Sequence, residues 1–207
     1  NHVAQWGKKG GGTLTDRGYG VALDAFGNIL VTGHFFGVAT FDTASLTSGG
    51  NLDVFTLKYN PAGVLQWIKQ GTSVSQVSSR ALAIDTAGNV IVAAYFGTTA
   101  APTVTFGSFI LTSHGQRDIC VVKYDPSGNE LWAVSGGGSN TGEEPKDVAV
   151  DLAGNVYVTG YFENTVDFDP GVPVNNLASN GFIDIYILKL DGSGNFIWAR
   201  QIGGVDY

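Results

Sequence analysis

Residues 52–67 read LDVFTLKYNPAGVLQW, and the same pattern returns as RDICVVKYDPSGNELW at 117–132 and IDIYILKLDGSGNFIW at 183–198. Each copy is a run rich in valine, isoleucine and aromatics, then a glycine-containing turn, then a run closing on tryptophan. Short β-branched runs around such a turn spell a β-hairpin. An aspartate bonds the backbone two residues on, and the glycine accepts the left-handed conformation that ends a loop of three to five residues. In the first copy Phe55, Leu57 and Tyr59 point one way and Val54 and Thr56 the other, and in the third copy apolar residues occupy both parities. Both faces of this strand are therefore expected to be buried.

Working outward, the tryptophans fall at Trp6, Trp67, Trp132 and Trp198, separated by 61, 65 and 66 residues. Upstream of each hairpin an apolar strand ends in aspartate, GVALD (20–24), ALAID (81–85) and DVAVD (147–151). A D-x-x-GN turn follows, then ILVTGHFF (29–36), VIVAAYF (90–96) or VYVTGYF (156–162). Four strands per unit, A to D, thus occur three times, in units near 10–70, 71–135 and 136–201. No segment shows apolar residues at helical spacing, so the chain is read as all-β. Four-stranded antiparallel sheets buried on both faces are the blades of a β-propeller. A sandwich would leave one face of each sheet polar, and a solenoid would use shorter coils. The units exceed the roughly 40–50 residues of common blades. Their B–C segments are long and carry repeated apolar anchors, Phe41 and Leu46, Phe106 and Leu111, Phe168 and Leu177.

The D-x-x-GN turns, the following aromatics, and D-I-x-V-x-K-Y-D-x-x-GN closing on tryptophan together resemble the bacterial β-propeller repeat called SBBP. Departures are Asn60 in place of aspartate, Leu190 in place of tyrosine and Ala94 in place of glycine. Members of that family are mostly repeat regions of large secreted or surface proteins. The resemblance therefore implies a bacterial, non-enzymatic structural or interaction module, extracellular or at the cell surface.

Three units fall short of the four to eight blades of a ring. The segment AQWGKKGGG (4–12) resembles the end of a unit, so residues 1–9 are read as an outer strand of a preceding or last blade. The tail GGVDY (203–207) resembles the lead into another strand A. A larger ring is expected, completed by further chain or by self-association through the terminal blades. The sequence opens at Asn1 with no cationic, apolar leader, as expected of a piece processed or excised from a longer precursor.

Eleven basic against 18 acidic residues give a net charge of −7, which repels phosphate backbones and anionic membranes, so neither nucleic acid nor membrane insertion is expected. The single Cys120 aligns with Phe55 and Tyr186 and reads as a buried apolar residue. No serine, cysteine or carboxylate pair has the spacing of a catalytic constellation, so no catalytic residue is assigned, and a hydrolase or lyase with an axial pocket stands as the third reading behind an interaction module and a glycan binder.

Residues common to all units most economically serve the fold, so a site is sought in what differs. This sets aside the tryptophans, the aspartates opening strand C (Asp53, Asp118, Asp184), and Lys58, Lys123 and Lys189. It also sets aside the D-x-x-GN turns, which offer one carboxylate each where a calcium loop needs several oxygens. The A–B and C–D turns share one rim of the stack, and the B–C segments and D–A connections share the other. Length differences fall on that second rim, around 97–103, 169–175 and in the D–A loops, which makes it the expected binding surface for a protein partner. Aromatic and polar residues near it, His34, Phe36, Tyr95, Phe96, Tyr161 and Phe162, are candidates for stacking on a glycan. No cofactor is required, but Asp167 and Asp169, two apart on one strand face, with Glu163 nearby, form a candidate calcium site. The plainer reading of that cluster is a solvated acidic surface.

Overall fold

The computed structural model describes residues 6–98, 103–139, 142–169, 171 and 174–205, which form strands and turns with no helix among them. After β1 (Gly10–Gly12), the first unit comprises β2 (Asp16–Leu23), β3 (Ile29–Phe35), β4 (Val38–Phe41), β5 (Ala44–Thr47), β6 (Asp53–Tyr59) and β7 (Leu65–Thr72). The second comprises β8 (Val77–Ile84), β9 (Val90–Phe96), β10 (Thr103–Phe106), β11 (Phe109–Thr112), β12 (Asp118–Tyr124) and β13 (Glu130–Gly136). The third comprises β14 (Glu144–Val150), β15 (Val156–Phe162), β16 (Thr165–Asp167), β17 (Asn176–Ala178), β18 (Asp184–Leu190) and β19 (Phe196–Ile202). Strands A to D of each unit pair antiparallel in chain order, as the repeat predicts.

The turns form for the expected reason. At the first A–B turn Asp24 Oδ1 accepts from the amides of Phe26 and Asn28, both at 2.9 Å, while Oδ2 accepts from the Asn28 side chain at 2.7 Å. Gly27 has a φ of 75°, which an L side chain resists. Asp85, Asp125, Asp151 and Asp191 repeat the arrangement. Burial alone would raise the Asp24 pKa, but the bonds from Asn28 and Lys58 outweigh it and hold the carboxyl at about 2.

The long B–C segment, left irregular by the sequence reading, is itself a two-stranded hairpin in every unit: β4–β5, β10–β11 and β16–β17. That hairpin leaves its own sheet and pairs with the end of strand D of the preceding unit. Phe106 sits opposite Gly71 of β7, and Asp167 bridges Gly137 just beyond β13. Phe41 sits opposite Gly10 of β1 in the same way. Residues 10–12 therefore hold the place of a strand D end. Of the outer strand expected over 1–9, residues 6–9 form no strand and 1–5 lie outside the described residues.

Glycine is needed where strand D meets the hairpin. A Cβ on buried Gly71 would lie 2.2 Å from the Phe106 ring, which is itself fully buried. Gly71→Ala is expected to cost about 1–3 kcal/mol of overpacking in urea unfolding. An unchanged midpoint would show that the ring has room to move.

Alternating side chains stack the units in one direction. Each unit has a forward face towards the next unit and a back face towards the one before. Leu30 and Val54 of the first unit pack on Val90, Val92, Ala94, Cys120, Val122 and Tyr124 of the second. Ile91, Ala93, Ile119 and Val121 of the second pack in turn on Val156, Val158, Tyr186, Leu188 and Leu190 of the third. The middle unit is thus buried on both faces, and every residue of β9 and β12 is buried.

A polar clamp fixes each joint. The indole Nε1 of Trp67 donates to the Pro126 carbonyl at 3.1 Å, and Trp132 donates to the Gly192 carbonyl at 3.1 Å. Lys58 and Lys123 reach the same two carbonyls at 3.4 and 3.1 Å, while each pairs at 3.0 Å with an aspartate of its own unit, Asp24 and Asp85. Each indole also covers the turn glycine beyond, Gly128 and Gly194. Trp6 does the same to Pro61 and Gly63, so it takes the place of a strand D tryptophan against the first unit.

Candidate functional site

Strands A form the inner edge of the stack, with β8 lying against both β2 and β14. Each carries a β-bulge near its start, between Gly18 and Gly20, Ser79 and Ala81, and Pro145 and Asp147. A bulge inserts one extra residue and re-aims its side chain. The extra residues are Tyr19, Arg80 and Lys146, three unlike side chains at one repeat position. Beside them on strand B stand His34, Tyr95 and Tyr161, also at one repeat position.

Arg80 organises this cluster. Its guanidinium carbon lies 4.7 Å from the Tyr19 ring centroid and 4.6 Å from that of Tyr95, so it sits between two aromatic rings of neighbouring units. Its Nε donates to Glu144 Oε1 of the third unit at 2.8 Å, and Nη1 donates to Ser78 Oγ at 2.7 Å. One side chain therefore ties together all three units. Glu144 is buried and also accepts from Lys146 Nζ and, at 3.1 Å, from the Tyr161 hydroxyl. Burial would raise its pKa, but the bonds from Lys146 and Arg80 outweigh that and lower it. Arg117 lies over the Tyr95 ring at 5.2 Å with its Nη1 3.8 Å from Glu144 Oε2, and the side chains of Arg117 and Lys146 are partly exposed at the edge of the cluster.

His34 Nδ1 and Ser78 Oγ are 2.7 Å apart, a contact between units that sequence spacing could not reveal. Ser78 accepts from Arg80, so its one proton is available to His34 Nδ1, which matches a neutral ring. Burial, then the charges of Arg80 and Arg17, lower the His34 pKa to about 4. This pair resembles a serine nucleophile and its base, but Ser78 has no exposed surface and His34 is 4% exposed. It links the first two units inside the cluster. Because the folded pKa lies below the ordinary 6.5, the stability linked to His34 is complete above pH 6.5 and is lost as pH falls towards 4, by as much as about 3 kcal/mol. His34→Gln is expected to flatten the thermal midpoint against pH across that window, whereas an unchanged slope would place the titration elsewhere.

The other expected site residues separate. Phe96 and Phe162 are fully buried core residues, which corrects their reading as glycan-stacking side chains. Their counterpart in the first unit is buried Phe35, and half-buried Phe36 lies one residue beyond the repeat position. Tyr95 is buried under Arg80 and Arg117, and Lys146 lies over the partly buried Tyr161 ring at 5.0 Å.

Asp167 Oδ1 accepts from the amides of Asp169 and Asn175, at 3.0 and 2.9 Å, and Asp169 accepts from the Gly171 amide and the Asn175 side chain. These carboxylates cap their own loop. Glu163 precedes β16 and approaches Gly142, and no group of three or more His, Cys, Asp or Glu that could hold a metal occurs among the described residues. The structural reading of Asp53, Asp118 and Asp184 holds, since they accept from the amides of Gly49, His114 and Asn180 at 2.9, 2.6 and 2.8 Å. Parts of the varied segments around 97–103, 136–145 and 169–175 lie outside the described residues.

Residues 136–161, from the end of β13 through strands A and B of the third unit, match the family model described as beta-propeller repeat, SBBP. The chain carries an SBBP β-propeller repeat. The chain is also 30% identical over 177 residues to an uncharacterized WD repeat-containing protein of Acanthamoeba polyphaga mimivirus. That match covers 77% of this chain and 12% of the relative's length. The matched SBBP segment contains the Glu144 and Lys146 of the inner cluster, while Arg80 and Tyr19 come from the two units before it. An all-β, propeller-type interaction scaffold follows from the fold and both similarities.

Proposed function

We propose that this chain is a non-enzymatic propeller module that binds a protein partner through its inner edge and the rim of B–C hairpins and D–A connections. The observation that carries the reading is the bulged position of strand A. Three nearly identical backbones present tyrosine, arginine and lysine there, beside His34, Tyr95 and Tyr161 of strand B, while the side chains of Arg117 and Lys146 are half-exposed around the buried Glu144. A scaffold that repeats its core and varies one rim supports recognition. The setting we propose, in line with the resemblance to SBBP arrays, is an extracellular or cell-surface assembly.

Photo-crosslinking side chains placed at 117 and 146, compared with one at Leu152 on the opposite rim, test this with the extracellular proteins of the source cells. A defined adduct from 117 and 146 but not from 152 is the expected result. Adducts from 152 alone would contradict the assignment of the rim. Turnover in a hydrolase or lyase panel that disappears in Ser78→Ala would contradict the non-enzymatic reading.

A further inference from the structure

Three of the four arginines of this chain, Arg17, Arg80 and Arg117, gather at the inner edge, and the fourth, Arg200, sits on the outer strand β19. Lys146 adds a further cation there. The gathering runs against the net charge of −7, and arginine is the side chain whose planar fork matches a carboxylate.

The hydrogen bonds of the cluster leave donors over and fill its acceptor. Glu144 Oε1 accepts from Arg80 Nε at 2.8 Å and from Lys146 Nζ, and Oε2 accepts from the Tyr161 hydroxyl at 3.1 Å. Arg80 Nη1 is taken by Ser78 Oγ and, at 3.2 Å, by the Ser79 carbonyl. Arg80 Nη2 makes no hydrogen bond to a described residue, and neither do the hydroxyls of Tyr19 and Tyr95. Because the guanidinium is clamped between those two rings, its free edge is held in place without being satisfied. Arg117 and Lys146 stand beside it with side chains 45% and 53% exposed, and among the described residues they form ion pairs with Glu144 alone. One ionised carboxylate therefore serves three cations. Of the other carboxylates nearby, Glu143 is fully buried, Asp16 accepts from the Gly12 amide at 2.7 Å, and Glu163 approaches Gly142.

We infer that the inner edge takes an acidic segment of its protein partner, an Asp or Glu carboxylate of which bonds the donors that Glu144 leaves free on Arg80, Arg117 and Lys146. The inference rests on the inner-edge recognition proposed above and names its chemistry. Charge-assisted bonds from a fixed guanidinium are the strong ones, and Arg80 is fixed before any partner arrives. One or two carboxylates feel these cations within a Debye length of about 8–10 Å, whereas a polyanion such as a sulfated glycan also meets the net charge of −7.

The test reads the four arginine Nε–Hε signals of the nitrogen-15-labelled full chain by NMR. The probe is a capped Gly-Asp-Gly-Glu-Gly peptide, with Gly-Asn-Gly-Gln-Gly as its uncharged counterpart. The acidic peptide is expected to shift the Arg80 and Arg117 signals saturably and to leave Arg200 in place, and the uncharged peptide to shift none of them. Arg117→Gln should weaken the acidic peptide about tenfold, since it removes a charge-assisted hydrogen bond, while Lys69→Gln on strand D should leave its affinity unchanged. Arg80 and Arg117 signals that stay still up to about 10 mM peptide overturn the inference, as do equal shifts from the uncharged peptide. Tighter binding of a sulfated tetrasaccharide than of the peptide overturns it in favour of a glycan. The partner reading is decided separately by the photo-adducts at 117 and 146. Adducts without peptide shifts strike the acidic chemistry alone, and peptide shifts without adducts strike the protein partner and leave the carboxylate site.

Discussion

Trp132→Ala is expected to destabilise the protein by about 3–5 kcal/mol in urea unfolding, while Trp198→Ala costs less than about 1 kcal/mol. The two residues occupy one repeat position and differ in what lies beyond them. Trp132 is 9% exposed, wedged between its own strand and Gly194, with its N–H on the Gly192 carbonyl. Its removal leaves a cavity between the second and third units in a core too close-packed to collapse into it. For a chain of this length the thermal midpoint should fall by about 10 °C. Trp198 has no following unit among the described residues, and its loss opens no interface. Equal costs at the two positions would show that the tryptophans stabilise their own blades and not the joints.

The second large effect is expected at Lys123. Lys123→Met should cost about 3–5 kcal/mol at neutral pH, because it leaves the carboxylate of Asp85 buried without its cation. Both side chains are 6% exposed, and burial alone would raise the Asp85 pKa; the bonds from Asn89 and Lys123 outweigh it and lower the pKa. The sign with pH follows. A carboxyl with a depressed folded pKa contributes stability that is complete above the unfolded value near 3.8 and is lost as pH falls through the folded value. The gap between the native chain and Lys123→Met should therefore be widest above pH 4 and shrink in acid. Adding Asp85→Asn should recover part of the loss. A gap that stays constant down to pH 2 would show that the Lys123 stem, not its charge, holds the joint. Lys189→Met should be nearly neutral, since Asp151 takes its bond from Tyr157.

The blades were legible because their causes are local. Residues 52–67, 117–132 and 183–198 carry strand, turn and strand within sixteen residues, and an Asp–Gly turn needs no tertiary help. The B–C hairpins were half legible. Their anchors Phe41, Phe106 and Phe168 were visible as a repeat, but pairing to the preceding strand D joins residues far apart in sequence, and only the matching glycines, Gly10, Gly71 and Gly136, hint at it. The inner cluster was illegible for a different reason. Tyr19, Arg80 and Lys146 share a repeat position, yet nothing in three unlike letters announces a bulge that turns them inward. His34 and Ser78 belong to different units and meet only through the stacking. Phe96 and Phe162 were misplaced as glycan-stacking candidates because the strand B aromatics alternate: these two point into the core, while Tyr95 and Tyr161 point towards the inner edge.

The central claim is that the units stack in one direction, forward face on back face, so that the forward face of the third unit is uncovered among the described residues. Two isoleucines test it with one substitution, Ile119→Glu and Ile185→Glu, each followed by urea unfolding. They share residue type, strand and repeat position, and differ in being 1% and 49% exposed. A glutamate forced under the third unit at 119 should cost more than about 4 kcal/mol, or detach that unit outright, while the same change at 185 should stay within about 1 kcal/mol. Similar losses at both positions would contradict the directional stack and close the face that this account leaves open.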